Sequence, residues 1–335
     1  MKISIAESIS NTRKIDLVGG ELGLYQTPIS GDIIPFARNV ADSDAVLVPH
    51  DAFNFSGNLE YLRYLRQIAK RRLLIYSDRG DFPKQPTIKN SVALRVALNP
   101  GESNQDKIVV PYNVESLEDL NYRRLEDSPT VSFVGYVPKV FGRRTLLSLI
   151  QTPTHPLTGN GALVRKESVA QLEKMEIEKV LIKRNTYGGH VKTVTNLFSS
   201  RKEYLESIQN SDFVLSPRGD ANQSARFYEI LSCGRIPLIP NSGIVFPHNI
   251  FQNNPFDITM GVAFSAFRTG SMEKSIWETW GTYSSNSDYL RHQDQLRKLF
   301  REYLNFNNFL KSLFRLNLDS FLHLANSKIK LNSEE

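Results

Sequence analysis

The chain has 335 residues, 40% of them apolar and 23% charged, with 41 Lys plus Arg against 35 Asp plus Glu for a net charge of +6. That balance excludes collagen-like, low-complexity and intrinsically disordered chains, and at roughly 100 to 200 residues per domain the length makes about two domains. The small positive excess does not mark a nucleic-acid binder, but it leaves room for a basic groove that takes a phosphorylated ligand.

The first third alternates short apolar runs with polar or helical stretches. Runs at 2–6, 45–49, 73–76, 92–98 and 108–111 read as strands, and the amphipathic stretch 59–69 reads as a helix. Continuous Val, Ile and Leu runs separated by helix-period segments predict a parallel sheet with crossover helices. Residues 1–125 therefore read as one α/β domain. The charged, proline-ended segment 122–129 is the expected boundary.

The pattern then repeats, with strands at 131–135, 180–183, 213–216 and 236–240 and helices near 143 and at 166–175, 200–210 and 223–233. Residues 126–288 form a second doubly wound domain in this reading, and 289–335 a set of C-terminal helices. The fold class expected is α/β.

The window 211–247 reads SDFVLSPRGDANQSARFYEILSCGRIPLIPNSGIVFP. An apolar strand runs into a Ser216-Pro217-Arg218-Gly219 turn. Asp220 and Asn222 are expected N-caps of the following helix, and Gly234 its stop. A helix N-terminus at the carboxyl end of a parallel sheet favours an anion such as a diphosphate. Arg226 and Glu229, three apart, share one helix face. Two readings stand for them: Arg218 and Arg226 hold a diphosphate while Glu229 accepts from ribose hydroxyls, or Arg226 and Glu229 form a surface pair contributing ~0.2 to 0.5 kcal/mol.

At this window the sequence resembles the exostosin family of glycosyltransferases, glycosyltransferase family 47. The pattern S-x-F-x-L-x-P-R-G, then S-x-R-x-x-E-x-L-x-x-G-x-I-P, is met at Ser211, Phe213, Leu215, Pro217, Arg218, Gly219, Ser224, Arg226, Glu229, Leu231, Gly234, Ile236 and Pro237. Weaker likeness extends to 41–49, 108–111, Phe133-Val134-Gly135 with Arg143 and Arg144 after it, and 299–310. The resemblance implies a GT-B architecture, two Rossmann-like doubly wound domains facing across a cleft, with a nucleotide-sugar donor held mainly by the C-terminal domain. It implies inverting transfer to a glycan or lipid-linked glycan acceptor, with the donor, expected to be UDP-linked, as substrate and no cofactor. Carried over by position, it places Arg218, Gly219, Ser224, Arg226 and Glu229 at the donor, and Gly135 and Arg143 at a phosphate-side loop and helix start.

Single displacement needs a general base for the acceptor hydroxyl. Two expected strand ends of the first domain carry candidates: His50 with Asp51, then Asp78. The competing reading of each is turn or helix capping. Asp42-Ser43-Asp44 looks like a metal–nucleotide triplet but precedes its strand, which favours a capped turn. The six histidines show no metal-ligand spacing, so no metal site is predicted.

The C-terminal stretch puts Leu290, Leu296, Leu299, Phe300, Tyr303 and Leu304 on one face and Arg291, Arg297, Lys298, Arg301, Lys311 and Arg315 on others. It packs back on the first domain in one reading, and touches an anionic membrane surface as a peripheral contact in the other. The single cysteine, Cys233, excludes an internal disulfide and a Cys-based zinc cluster. Residues 1–20 lack the apolar core of a secretory signal, and no run reaches the roughly 18 apolar residues a bilayer span needs. A cytoplasmic protein is expected, at most peripheral at the inner face of the membrane. Animal and plant exostosins carry an anchor and lumenal cysteines, so a bacterial or viral version is the expected kind. The alternatives kept are a non-catalytic nucleotide-sugar or glycan-binding partner in a synthase complex, and another GT-B transferase such as a fucosyltransferase.

Overall fold

The computed structural model describes residues 1–5, 40–48, 59–78, 88–98, 105–137, 160–184, 194–219, 222–247 and 261–326. Its first sheet contains β1 (Ile3–Ile5), β2 (Ala45–Leu47), β3 (Leu73–Asp78), β4 (Ser91–Arg95) and β5 (Lys107–Val109), parallel and in chain order. Successive side chains leave a strand on opposite faces. Ala45, Leu47, Leu73 and Ile75 therefore join one apolar layer, and Val46 and Leu74 join another. Helix α1 (Leu59–Ala69) covers the second layer with Tyr61, Leu65 and Ala69, spaced four apart on one face.

The second sheet contains β6 (Val131–Tyr136), β7 (Lys179–Arg184), β8 (Phe213–Leu215), β9 (Ile236–Pro240) and β10 (Val262–Phe264), all parallel, in the order β10-β9-β8-β6-β7. The strand order reverses between β6 and β8, which makes that junction a topological switch point. The helices here are α2 (Gly161–Lys174), α3 (Val194–Gln209), α4 (Ala225–Ser232), α5 (Ser271–Trp280) and α6 (Asn286–Leu299). Val131, Phe133, Phe213 and Leu215 pack with α2, α5 and α6, while Val134 and Val214 pack with Tyr204 and Ile208 of α3. Two parallel five-stranded sheets clothed by helices give the α/β architecture expected from the sequence.

A π-helical turn, Phe300–Leu304, extends α6, and α7 (Phe306–Arg315) and α8 (Leu318–Ala325) follow. Leu304 lies in the core of the second sheet and Phe306 in that of the first, so the chain changes cores at Asn305. The Asn305 side chain caps α7, accepting from the Asn307 and Asn308 backbone N–H groups at 3.1 and 3.3 Å. Phe309, Leu310, Leu313, Phe314 and Phe321 then cover the face of the first sheet opposite α1. That face carries Ile3, Leu47, Ile75, Val92 and Leu94, a layer burying these large side chains at roughly 25 cal/mol per Å².

The segment joining the two sheets is tied to the second. Val114 and Leu117 enter its cores, ahead of the charged segment where composition put the boundary. Asp212, fully buried, accepts from Arg123 Nε at 3.1 Å, Thr130 N at 2.8 Å and Tyr289 Oη at 2.8 Å. Arg297, expected on an exposed basic face, is buried instead. It donates to the carbonyls of Glu118, Leu120 and Cys233, groups of this segment and of the end of α4.

Other elements depart from expectation at their ends. Helix α2 starts at Gly161 because Asn160 caps it, accepting from Leu163 N at 3.1 Å. Helix α4 is capped by Ser224 rather than Asn222. It stops as expected at Gly234, whose φ of +73° a side chain would resist. Strand β10 has three residues with an exposed Ala263, too short a pattern to read. No helix among the described residues is long and apolar enough to cross a membrane.

Candidate functional site

The site lies at the carboxyl ends of β6 and β8, where the strand order reverses. Ser216 N still donates to Leu238 O at 2.9 Å, and Pro217, with no N–H, ends the pairing. The chain turns through Arg218, 2% exposed, and Gly219. Helix α2 presses its first turn against this bend. A Cβ on Gly161 would lie 2.0 Å from Gly219 O and 3.4 Å from Arg218 Nε, so only glycine permits the approach. Arg165, also of α2, donates to Arg218 O at 3.1 Å and to Tyr136 O at 3.4 Å. On the other side Ser224 Oγ accepts from Arg226 N at 3.3 Å and opens α4. Two helix N-termini and the guanidinium groups of Arg165 and Arg218 thus meet at one bend, an arrangement that favours an anion.

Arg226 joins the two strands beneath that bend. Its Nη2 donates to Val134 O at 2.7 Å and its Nη1 to Leu215 O at 3.4 Å, and its guanidinium sits over the rings of Phe133 and Tyr204 at 5.1 and 5.4 Å. Gly135 makes the space: a Cβ there would lie 3.1 Å from Arg226 Nη2. Glu229, one helical turn on and 5% exposed, accepts from Arg201 Nη1 at 2.7 Å and from Tyr204 Oη at 2.8 Å. Burial, then the neighbouring Glu229 carboxylate, pushes the Tyr204 phenol well above its ordinary pKa and keeps it a donor. Arg226 and Glu229 share a helix face, and the sequence offered either a ligand or each other as partners. Their close hydrogen bonds run instead to strand carbonyls and to α3.

The structure therefore brings together Gly135, Arg218, Gly219, Ser224, Arg226 and Glu229. His50, Asp51, Arg143 and Asp220 lie outside the described residues. Asp78 ends β3, in register with Arg95 of β4, at the carboxyl edge of the first sheet. Asp42 ends a 3-10 turn, and Asp44 accepts from Lys2 N at 2.7 Å, which makes the triplet a turn that fastens β1 to β2. Among the described residues no three His, Cys, Asp or Glu side chains are grouped to hold a metal ion.

Sequence reasoning missed Gly161, Arg165, Arg201 and Tyr204. Arg165 left a signal, since a cation near a helix N-terminus opposes the helix dipole and asks for another reason to be there. Arg201 and Tyr204 left none, because their partner Glu229 is 28 and 25 residues away.

No family model and no curated protein matches the chain. Among solved structures, the crystal structure of TarM is similar at 11% identity, covering 84% of this chain and 55% of that one, with a TM-score of 0.38. A mutant of S. aureus TarM in complex with fondaparinux, alpha-GlcNAc-glycerol and UDP is similar at 9% identity, with the same coverage of 84% and 55% and a TM-score of 0.38. The chain spans about half the length of these structures, 55% of each.

Proposed function

We propose that this protein is a glycosyltransferase that takes a nucleotide-activated sugar, UDP-linked, and passes the sugar to a hydroxyl of a glycan or lipid-linked glycan. The observation that carries this reading is the meeting of Arg165, Arg218 and the N-termini of α2 and α4 at the switch point of the second sheet, with Arg226 fixed beneath. Preorganised cationic donors in a partly dry bend suit a diphosphate and stabilise it as it departs, the main electrostatic demand of sugar transfer. The likeness of residues 211–240 to the exostosin pattern supports the same assignment. In this reading transfer is inverting, and the base comes from the carboxyl edge of the first sheet, from Asp51, His50 or Asp78. Glu229 is an anchor for Arg201 and Tyr204 first, with ribose contact as its second task. The protein works in the cytoplasm.

A thermal-shift screen against UDP, GDP, CMP, TDP and their sugars tests this. A ligand at 100 times its Kd adds about 2.7 kcal/mol of stability. UDP and its sugars are expected to raise Tm in the wild type and far less in Arg218→Ala. No shift with any nucleotide overturns the reading.

A further inference from the structure

Helix α1 turns Tyr61, Leu65 and Ala69 onto the first sheet. Its outer side carries Arg63 and Arg66, and Lys70 and Arg71 follow in the turn that ends it, all four exposed. At about 3.6 residues per turn, Arg63, Arg66 and Lys70 fall in one row opposite the apolar stripe. The bend before β4 adds the exposed Lys89, held there because Asn90 Nδ2 donates to Ala69 O at 3.0 Å and to Arg72 O at 2.9 Å. None of these five cations has an ion-pair partner among the described residues. Exposed cations on other helices do: Lys202 with Glu206 on α3, Lys274 with Glu278 on α5 and Arg291 with Asp288 on α6. Helix α1 has a single acidic residue, Glu60, in its first turn.

Unpaired like charges gathered on one face repel one another, and an external anion offsets that repulsion. The row stands on the convex side of the helix and runs about 10 Å from Arg63 to Lys70. Half-buried Leu62 and Tyr64 form its two borders. A nucleic acid asks for a groove or strip that follows its phosphates. A cationic ridge with apolar borders suits a plane that has charge at its surface and hydrocarbon beneath. We propose that this face of α1 docks the first sheet's unit on an anionic lipid bilayer. Helices α7 and α8 cover the opposite face of that sheet, which leaves α1 as the side turned outward. The inference stands apart from the donor-site reading, and it favours the lipid-linked acceptor over a soluble one.

Sedimentation of the full chain with vesicles of phosphatidylcholine, alone or mixed with phosphatidylglycerol, tests this. The wild type is compared with the triple variant Arg63→Gln, Arg66→Gln, Lys70→Gln and with a control, Lys202→Gln, Lys274→Gln, Lys298→Gln, which removes three exposed cations elsewhere. The wild type is expected to bind the mixed vesicles alone and to be released as salt rises. Each cation near an anionic surface is worth about fivefold in affinity, so the α1 variant should bind about a hundredfold more weakly. Its Tm and its response to UDP should not change, and the control should bind nearly as the wild type does. Equal loss in the two triple variants makes net charge the cause and overturns the assignment to α1. Wild-type binding to neither vesicle, equal binding to both, or retention at high salt overturns the docking itself. Duplex DNA that binds as tightly through the same three residues and displaces the vesicles overturns it too, since the face is then a nucleic-acid site.

Discussion

The Asn222 side-chain amide donates to the Leu98 carbonyl at 3.1 Å, a bond between the loop ahead of α4 and the segment that follows β4. The same Nδ2 donates to Gly243 O at 2.7 Å, and Oδ1 accepts from Ser242 Oγ at 3.0 Å. Val245 joins Leu98 and Val109 in a small apolar cluster beside it. One asparagine therefore sets the loop that carries the site against the first sheet's unit.

Asn222 is 1% exposed, so truncation leaves two carbonyls and a hydroxyl buried without their donor or acceptor. Asn222→Ala should cost about 2 to 3 kcal/mol in urea unfolding. It should also split a single transition into two, because the two units lose a shared fastening. An unchanged midpoint with one transition would remove Asn222 from this role.

Gly161 tests how closely α2 must approach the turn. Alanine favours a helix over glycine by about 1 kcal/mol, so an unconstrained Gly161→Ala would stabilise the protein. Here the new Cβ meets Gly219 O, a backbone atom that moves only if the turn moves. The expected net effect is a loss of about 1 to 3 kcal/mol with weaker nucleotide binding. A rise in Tm would mean that the bend yields freely.

Much of this was legible in the sequence. The apolar runs at 45–47, 131–136, 213–215 and 236–240 are strands because a sheet buried on both faces needs continuous Val, Ile, Leu and Phe, and the Pro-Arg-Gly turn follows its strand as expected. What was not legible depends on distant partners. Arg297 looks solvent-facing by periodicity, yet it is 7% exposed and lies 3.8 Å over the Tyr122 ring while donating to carbonyls of Glu118 and Leu120. Periodicity ranks residues by polarity and carries no record of which far carbonyls need a donor. Asn222 failed as a helix cap for a related reason: its hydrogen-bonding capacity was plain, but its partners were not its neighbours.

His292 gives the fold a pH dependence of known sign. Burial lowers its pKa, and its Nδ1 lies 3.2 Å from Tyr283 Oη. With the folded value below the unfolded one, the unfolded chain binds the proton more readily. Stability from this group is present above the unfolded pKa, about 6.5, and is lost as pH falls through the folded value. Denaturant midpoints should decline as pH falls below about 6.5 in the wild type and more shallowly in His292→Phe, which keeps the ring contact with Tyr283. Parallel profiles would place the titration elsewhere.

Glu229 links α4 to α3, and its two partners allow the link to be measured. Removing the carboxylate in Glu229→Ala leaves the buried Tyr204 hydroxyl without its acceptor and Arg201 without its near partner, an expected loss of about 2 to 3 kcal/mol. Glu229→Gln keeps an acceptor and should lose about half as much. A double-mutant cycle with Tyr204→Phe isolates the bond between them, with a coupling of about 1 kcal/mol expected. Because the Arg226 guanidinium also rests on the Tyr204 ring, Glu229→Ala should weaken nucleotide binding even though the site keeps all its cations. Zero coupling in the cycle together with full nucleotide affinity would show that Glu229 neither braces Tyr204 nor holds Arg226 in place.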